Sequence, residues 1–148
     1  MHEIKQAIEE ATNVVFFTGA GISTDSGIPD YRGAKGIGQD IPFEEVLSLR
    51  SYKKDPVQFW NTAFNTMQWG DLAKKEPSSG HKWIQSLESE TRKVTVLTQN
   101  IDGLHNKAGS TNIINLHGTI QEGLCVNGHF NYLDLSNSET PFCEQCQT

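Results

Sequence analysis

The stretch Asn13-Val14-Val15-Phe16-Phe17-Thr18-Gly19-Ala20-Gly21-Ile22-Ser23-Thr24 decides the fold. A short continuous run as apolar as Val14 to Phe17 predicts a strand buried on both faces, as in a parallel sheet. Gly19-x-Gly21 directly after such a strand has a mechanical meaning. The first glycine permits a tight turn, the second lets a pyrophosphate approach the backbone, and the amides opening the next helix face its charge. Thr24 replaces the third glycine of the usual dinucleotide fingerprint, and no strand-end acid follows about twenty residues later. On this motif alone, an ordinary strand-to-helix turn stands beside a phosphate site.

Working outward, apolar runs recur at Val94-Thr95-Val96-Leu97-Thr98 and Asn112-Ile113-Ile114-Asn115-Leu116. Helical pattern lies around them. Ile4, Ala7, Ile8 and Ala11 recur at three- and four-residue intervals and predict an opening helix. Pro56 to Met67 carries an apolar face of Val57, Phe59, Trp60, Ala63, Phe64 and Met67, and His81 to Leu87 carries another behind the capping run Ser78-Ser79-Gly80. Strands separated by helices predict an α/β, Rossmann-like parallel sheet of about three strands with helices on both faces. Residues 27 to 42 hold Gly27, Pro29, Gly33, Gly36, Gly38 and Pro42, too many punctuators for a regular element, and such a loop is usually functional or mobile. The polar tail holds every cysteine and reads as a small appended module. The expected division is therefore 1–120 for the dinucleotide-binding part and 121–148 for the module.

Composition narrows the function. The chain has 148 residues, a single-domain length, and 36% of them are hydrophobic, which is enough for a modest core. Eighteen acidic against twelve basic side chains leave a net charge of −6, which argues against a broad grip on a nucleic-acid backbone. No apolar run approaches bilayer-spanning length, and Met1 to Asn13 lacks the features of a secretory signal. Cys125, Cys143 and Cys146 are an odd set of three. They favour a cytoplasmic chain with a local metal site over a disulfide scaffold.

Each predicted strand ends in a polar cluster: Gly19 to Thr24 after the first, Gln99-Asn100-Ile101-Asp102-Gly103-Leu104-His105 after the second, and His117-Gly118-Thr119 after the third. In an open parallel sheet the carboxyl ends of the strands share one edge, so these clusters are expected to meet at one pocket. Asn100 and Asp102 flank Ile101 and point the same way in an extended segment. An amide and a carboxylate there suit a carboxamide and ribose hydroxyls, while turn capping is the competing role. His117 at the pocket rim suits a general base, or a structural hydrogen bond. His81 and His105 read as structural.

These residues together are specific. Gly19 to Ser23 with Ser26-Gly27-Ile28-Pro29-Asp30-Tyr31-Arg32, Thr98 to His105, and Leu116-His117-Gly118-Thr119 resemble, in order, three motifs of the sirtuins, NAD-dependent protein deacylases. The resemblance runs from about residue 5 to the end of the chain. It implies cleavage of the nicotinamide–ribose bond of NAD and transfer of an acyl group from lysine to ADP-ribose. By position it implies cofactor contacts from Gly19, Ala20, Gly21, Ile22, Thr24, Ile28, Asp30, Tyr31 and Arg32, with Arg32 near phosphate. Gln99, Asn100, Ile101 and Asp102 would serve the nicotinamide and its ribose. His117 would be the general base, an acetyl-lysine protein or peptide the substrate, and the 33–42 loop the cover over NAD. Family members that remove acidic acyl groups carry a Tyr-x-x-Arg pair. The counterpart here, Phe59 to Thr66, has neither residue, which implies acetyl or other uncharged acyl groups.

The chain departs from the family pattern twice. The family zinc site is two Cys-x-x-Cys pairs; Cys143 and Cys146 form one, but Gly128 stands where the partner of Cys125 is expected. Either His129 supplies the fourth ligand of a tetrahedral zinc site or the site holds no metal. The chain also stops at Thr148, before the family's later strands, so it is expected to be truncated at the C-terminus. A fragment, a truncated product and an assembly with a complementing chain all fit that ending. The leading reading is an NAD-dependent protein-lysine deacetylase. The alternative is a catalytically inactive sirtuin-derived fragment acting as a binding module, and a dinucleotide oxidoreductase is disfavoured by the missing third glycine and ribose acid.

Overall fold

The computed structural model describes residues 2–30, 33, 47–135 and 139–147. Tyr31, Arg32 and most of the glycine-rich 33–42 loop lie outside the described residues. Three parallel strands build the sheet. β1 (Asn13–Thr18) pairs in register with β2 (Lys93–Thr98), and β2 pairs on its other side with β3 (Ile113–Asn115), giving the order β1-β2-β3. Parallel neighbours need crossover connections. The helices supply them in chain order: α1 (His2–Glu10) precedes β1, while a 3-10 helix (Ala20–Ser26), α2 (Leu49–Lys54), α3 (Pro56–Asn61), α4 (Trp69–Ala73) and α5 (Ser79–Ser86) lie between β1 and β2, and α6 (Leu104–Ala108) between β2 and β3.

β2 is central, so its alternate side chains are the best covered. Val94 and Val96 are buried with Ile84 of α5, and Phe16, Ile22, Leu87 and Ile113 pack against them. The expectation that β1 is buried on both faces fails. Val15 and Phe17 are 62% and 65% exposed, and Ile114, on the same face of β3 by register, is 47% exposed. The reason is position: among the described residues β1 lies at the edge of the sheet, and the helical cover from α5 lies on the Val94–Val96 face.

Local chemistry starts the helices. Asp55 accepts the Gln58 amide at 2.9 Å and Pro56 occupies the first helical position of α3. The helix expected over Pro56 to Met67 is α-helical only to Asn61 and continues as a π-turn, Thr62–Thr66, which delivers Ala63 and Phe64 into the core. At α5, the Ser78 amide donates to His81 Nδ1 at 3.2 Å and the His81 amide donates to Ser78 Oγ at 3.4 Å, a capping box with imidazole in the usual Glu position.

A second cluster gathers Ala63, Phe64, Met67, Trp69, Ile120 and Leu135, with Trp60, Ile101 and Leu133 packed on it. Beyond Ile120 the chain forms an antiparallel hairpin, β4 (Glu122–Leu124) and β5 (Phe130–Tyr132). Leu133 and Leu135 then return to the same core as Ile120, so this part of the tail is packed onto the helices.

Candidate functional site

Backbone hydrogen bonds tie the three strand ends into one edge. The Gln99 amide donates to Thr18 O at 3.0 Å, and the Leu116 amide donates to Thr98 O at 2.9 Å. The Ile120 amide then donates to Ile101 O at 2.9 Å, fastening the third cluster to the second. Segments near 19, 100 and 117 therefore share a rim because parallel pairing sets their ends side by side.

At that rim Asn100 and Asp102 meet at one hydroxyl. Asn100 Nδ2 donates to Gly19 O and to Ser23 Oγ, each at 3.1 Å, and Ser23 Oγ donates to Asp102 Oδ2 at 2.7 Å. Asp102 Oδ1 accepts the Leu104 amide at 2.9 Å, so the capping role weighed for this residue is present at the start of α6. Both Asp102 oxygens thus have donors within the chain and the residue is buried, whereas Asn100 is only half-buried. Asn100 also takes a donor role toward the crevice edge through Gly19 O, with its own amide bonded to Thr98 Oγ1 at 3.0 Å.

The glycines behave differently from expectation. Gly19 is extended (φ −142°), so no tight turn requires glycine there. A Cβ built on Gly19 or Gly21 meets nothing within 4 Å, so packing inside the chain does not require glycine either. What the two positions provide is bare backbone facing open space, which fits close approach of a ligand to the turn. The following helix is a seven-residue 3-10 segment closed at Gly27 (φ 75°).

Of the other expected contacts, Ala20 is half-buried, Gln99 is exposed, and Thr24 is exposed with its Oγ1 donating to Gly21 O at 2.9 Å. Ile22 and Ile101 are half-buried against the two core clusters, and Ile28 is buried. Asp30 Oδ1 accepts the Gly33 amide at 2.9 Å. His117 is exposed, one residue beyond the Leu116 bond to β2 and just before Gly118, whose φ of 76° turns the chain. Sequence reasoning passed over Ser23, the hydroxyl on which Asn100 and Asp102 converge. Its place in the Gly19 to Ser23 motif was the available signal.

Beneath the rim, His81 and His105 are 0% and 2% exposed. His105 Nε2 is 3.0 Å from Thr18 Oγ1, which links the second motif to the end of β1. Burial, reinforced by neighbouring His81 and opposed by Asp102, holds the His105 imidazole down to about 4. Burial also lowers His81, against the same opposing carboxylate.

In the tail, Cys125, His129, Cys143 and Cys146 bring one ligand atom each within 4.8 Å of one another. Cys125 Sγ and Cys146 Sγ are 3.8 Å apart, and Cys143 Sγ is 3.5 Å from His129 Nδ1. Three thiols and an imidazole at this spacing suit a tetrahedral structural metal.

Residues 19–148 match the Sir2 family. The chain belongs to that family. Relatives include NAD-dependent protein deacetylase 2 of Geobacillus kaustophilus, 46% identical over all of this chain and 61% of its own length, and the NAD-dependent protein deacetylase of Bacillus subtilis, 39% identical over 97% of this chain and 59% of its own. A Sir2 homologue–NAD complex superimposes with a TM-score of 0.81 at 28% identity, covering all of this chain and 58% of that one. A Sir2 homologue mutant bound to ADP-ribose gives 0.84 at 28% identity, covering all of this chain and 60% of that one. The chain therefore spans about three fifths of the Sir2 proteins it matches. Among the described residues, no helix is long and apolar enough to cross a membrane.

Proposed function

We propose that this Sir2 chain serves NAD-dependent deacetylation of protein lysine, with acetyl transferred to ADP-ribose and nicotinamide released. One observation carries the reading. Asn100 Nδ2 bonds both Gly19 O and Ser23 Oγ at 3.1 Å, so the bare Gly19–Gly21 turn and the polar end of β2 form one surface. The naming of the relatives as NAD-dependent deacetylases supports the same assignment.

When bound, NAD supplies the glycosidic bond that breaks and the ribose that receives the acetyl group. The chain's own residues do the rest. Gly19, Ala20 and Gly21 present backbone to the dinucleotide, with Ile22, Thr24, Ile28, Asp30, Tyr31 and Arg32 in the same assignment. Asn100 and Gln99 orient the nicotinamide side, and Ile101 supports them from the core. Asp102, with both oxygens already bonded, holds Ser23 and the start of α6 in place. His117 takes a proton from a ribose hydroxyl as general base, its exposed ring free to meet substrate at the rim. Water must be kept from the sugar centre while this occurs. Cys125, His129, Cys143 and Cys146 would hold a structural zinc that cross-links the hairpin to the 143–146 turn. An acetylated protein is the partner, the cytoplasm the compartment, and 1–120 and 121–148 the working division of the chain.

The test is nicotinamide release from NAD in the presence of an acetylated lysine peptide, on this chain and on one extended to the length of its relatives. Release that requires the peptide is expected. No peptide-dependent release in either form rejects the reading.

A further inference from the structure

The Gly19–Ser23 turn is held from two distant parts of the chain. On one side of its bare Ala20–Gly21 stretch, Asn100 Nδ2 donates to Gly19 O at 3.1 Å. On the other, Ser78 Oγ donates to Ile22 O at 2.9 Å, across 56 positions. Gly21 O, between them, is met by Thr24 Oγ1 from the same segment. The two carbonyls flanking the open backbone are therefore fixed by side chains that lie just past the end of β2 and just before α5.

Ser78 has the surroundings of a strut as well as those of a helix cap. It is 6% exposed, and His81 is fully buried. α5 comes so near the turn that a Cβ built on Gly80 would lie 3.1 Å from Ile22 Cγ1. The Ser78 hydroxyl proton has two acceptors in reach, Ile22 O and His81 Nδ1, the latter 2.8 Å from Oγ. A neutral imidazole offers a single acceptor nitrogen, and the Ser78 amide already donates to His81 Nδ1. The hydroxyl proton is thus directed to Ile22 O, while Oγ accepts the His81 amide at 3.4 Å. Helix α5 needs Ser78 as an acceptor; the turn needs it as a donor.

We propose that Ser78 is a positioning residue for the dinucleotide. Its hydroxyl holds Ile22 O and so keeps the Gly19–Gly21 backbone in the conformation that receives the ligand. A turn fixed in advance has less freedom to lose on binding, which raises affinity. The proposal rests on the reading of that turn as an NAD site. It adds a residue from outside the three motifs, one that acts through Ile22 and not by contact with the ligand.

Ser78→Gly separates the two roles, because glycine caps a helix almost as well as serine but has no hydroxyl. Amide hydrogen exchange on the full 148-residue chain is the first measurement. The Ile22, Gly27 and Ile28 amides, which donate to Gly19 O, Thr24 O and Ser23 O, should exchange about tenfold faster in the variant. The Lys82 amide, which donates to Ser78 O at the start of α5, should change by no more than about twofold. Ser78→Thr keeps the hydroxyl and should exchange as wild type. Turn amides unchanged in Ser78→Gly overturn the proposal. Acceleration of Lys82 by the same factor overturns it too, since Ser78 would then be a cap and nothing more. NAD titrated calorimetrically into the same three chains should bind about tenfold more weakly to Ser78→Gly and normally to Ser78→Thr. Equal affinity in all three overturns the positioning role. No binding to the wild-type chain rejects the NAD reading itself, and hydrogen exchange then decides separately whether Ser78 holds the turn.

Discussion

His81 and His105 lie ring against ring beneath the strand ends, their centroids 4.6 Å apart and their planes at 60°. Each is anchored on one side only: His81 Nδ1 accepts the Ser78 amide, and His105 Nε2 meets Thr18 Oγ1. His81 Nε2 and His105 Nδ1 are buried with no hydrogen-bond partner among the described residues. Two imidazolium ions cannot be accommodated there, so the pair ties α5, α6 and the end of β1 together only while neutral.

Acid should therefore loosen the fold. His105 is lowered from 6.5 to about 4 by burial and by His81, so between those values the unfolded chain binds the proton that the folded chain refuses. Stability from this residue is complete above about pH 6.5 and declines as pH falls toward 4, by on the order of 3 kcal/mol. His81, lowered by burial, acts in the same direction. Denaturant midpoints at pH 7 and pH 4.5 check this, with His105→Gln expected to flatten the dependence. An equal slope in both proteins would contradict it.

Ser23 is the hinge of the polar network. Ser23→Ala removes the donor to Asp102 Oδ2 and one acceptor of Asn100 Nδ2, leaving a buried carboxylate oxygen unpaired. The expected loss is about 1–3 kcal/mol of stability, with weaker NAD binding because Asn100 is no longer braced. Thermal unfolding and calorimetric NAD titration measure the two effects. A variant as stable and as tight as wild type would show that the network is idle.

His117 should separate turnover from folding. Its side chain is exposed, so His117→Ala leaves no cavity and should change stability by no more than about 0.5 kcal/mol. Steady-state formation of deacetylated peptide should drop by about 10²–10⁴-fold, the usual contribution of a positioned base, with NAD binding largely retained. Persistent turnover would remove the assignment.

Under the proposed function, the 59–66 segment is expected to set acyl preference. Trp60 packs on Phe59, Phe64 and Trp69 at centroid distances of 5.5, 6.0 and 5.9 Å, and Ala63 and Phe64 are buried, so the segment offers no cation to a carboxylate. Acetyl-lysine peptide should be turned over well and succinyl-lysine peptide poorly, in parallel assays of one enzyme form. Comparable rates on both would sink the idea.

The sequence by itself determined the elements and their order. The strands at 13–18, 93–98 and 113–115, the capped helix after Ser78 and the cysteine-bearing tail all arise from apolar period and turn chemistry among neighbouring residues, and the three motifs were legible enough to name the family. Tertiary structure decided what depends on distant partners. Ser23 meets Asp102 across 79 positions and Asn100 across 77, which no local pattern encodes. The open Val15–Phe17 face could not be read from an apolar run, because that run specifies a strand but not whether it lies at the edge of the sheet. The lowered His105 likewise arises from burial beside His81, a contact made only when α5 and α6 pack. Local pattern writes the elements; register and packing choose which side chains meet.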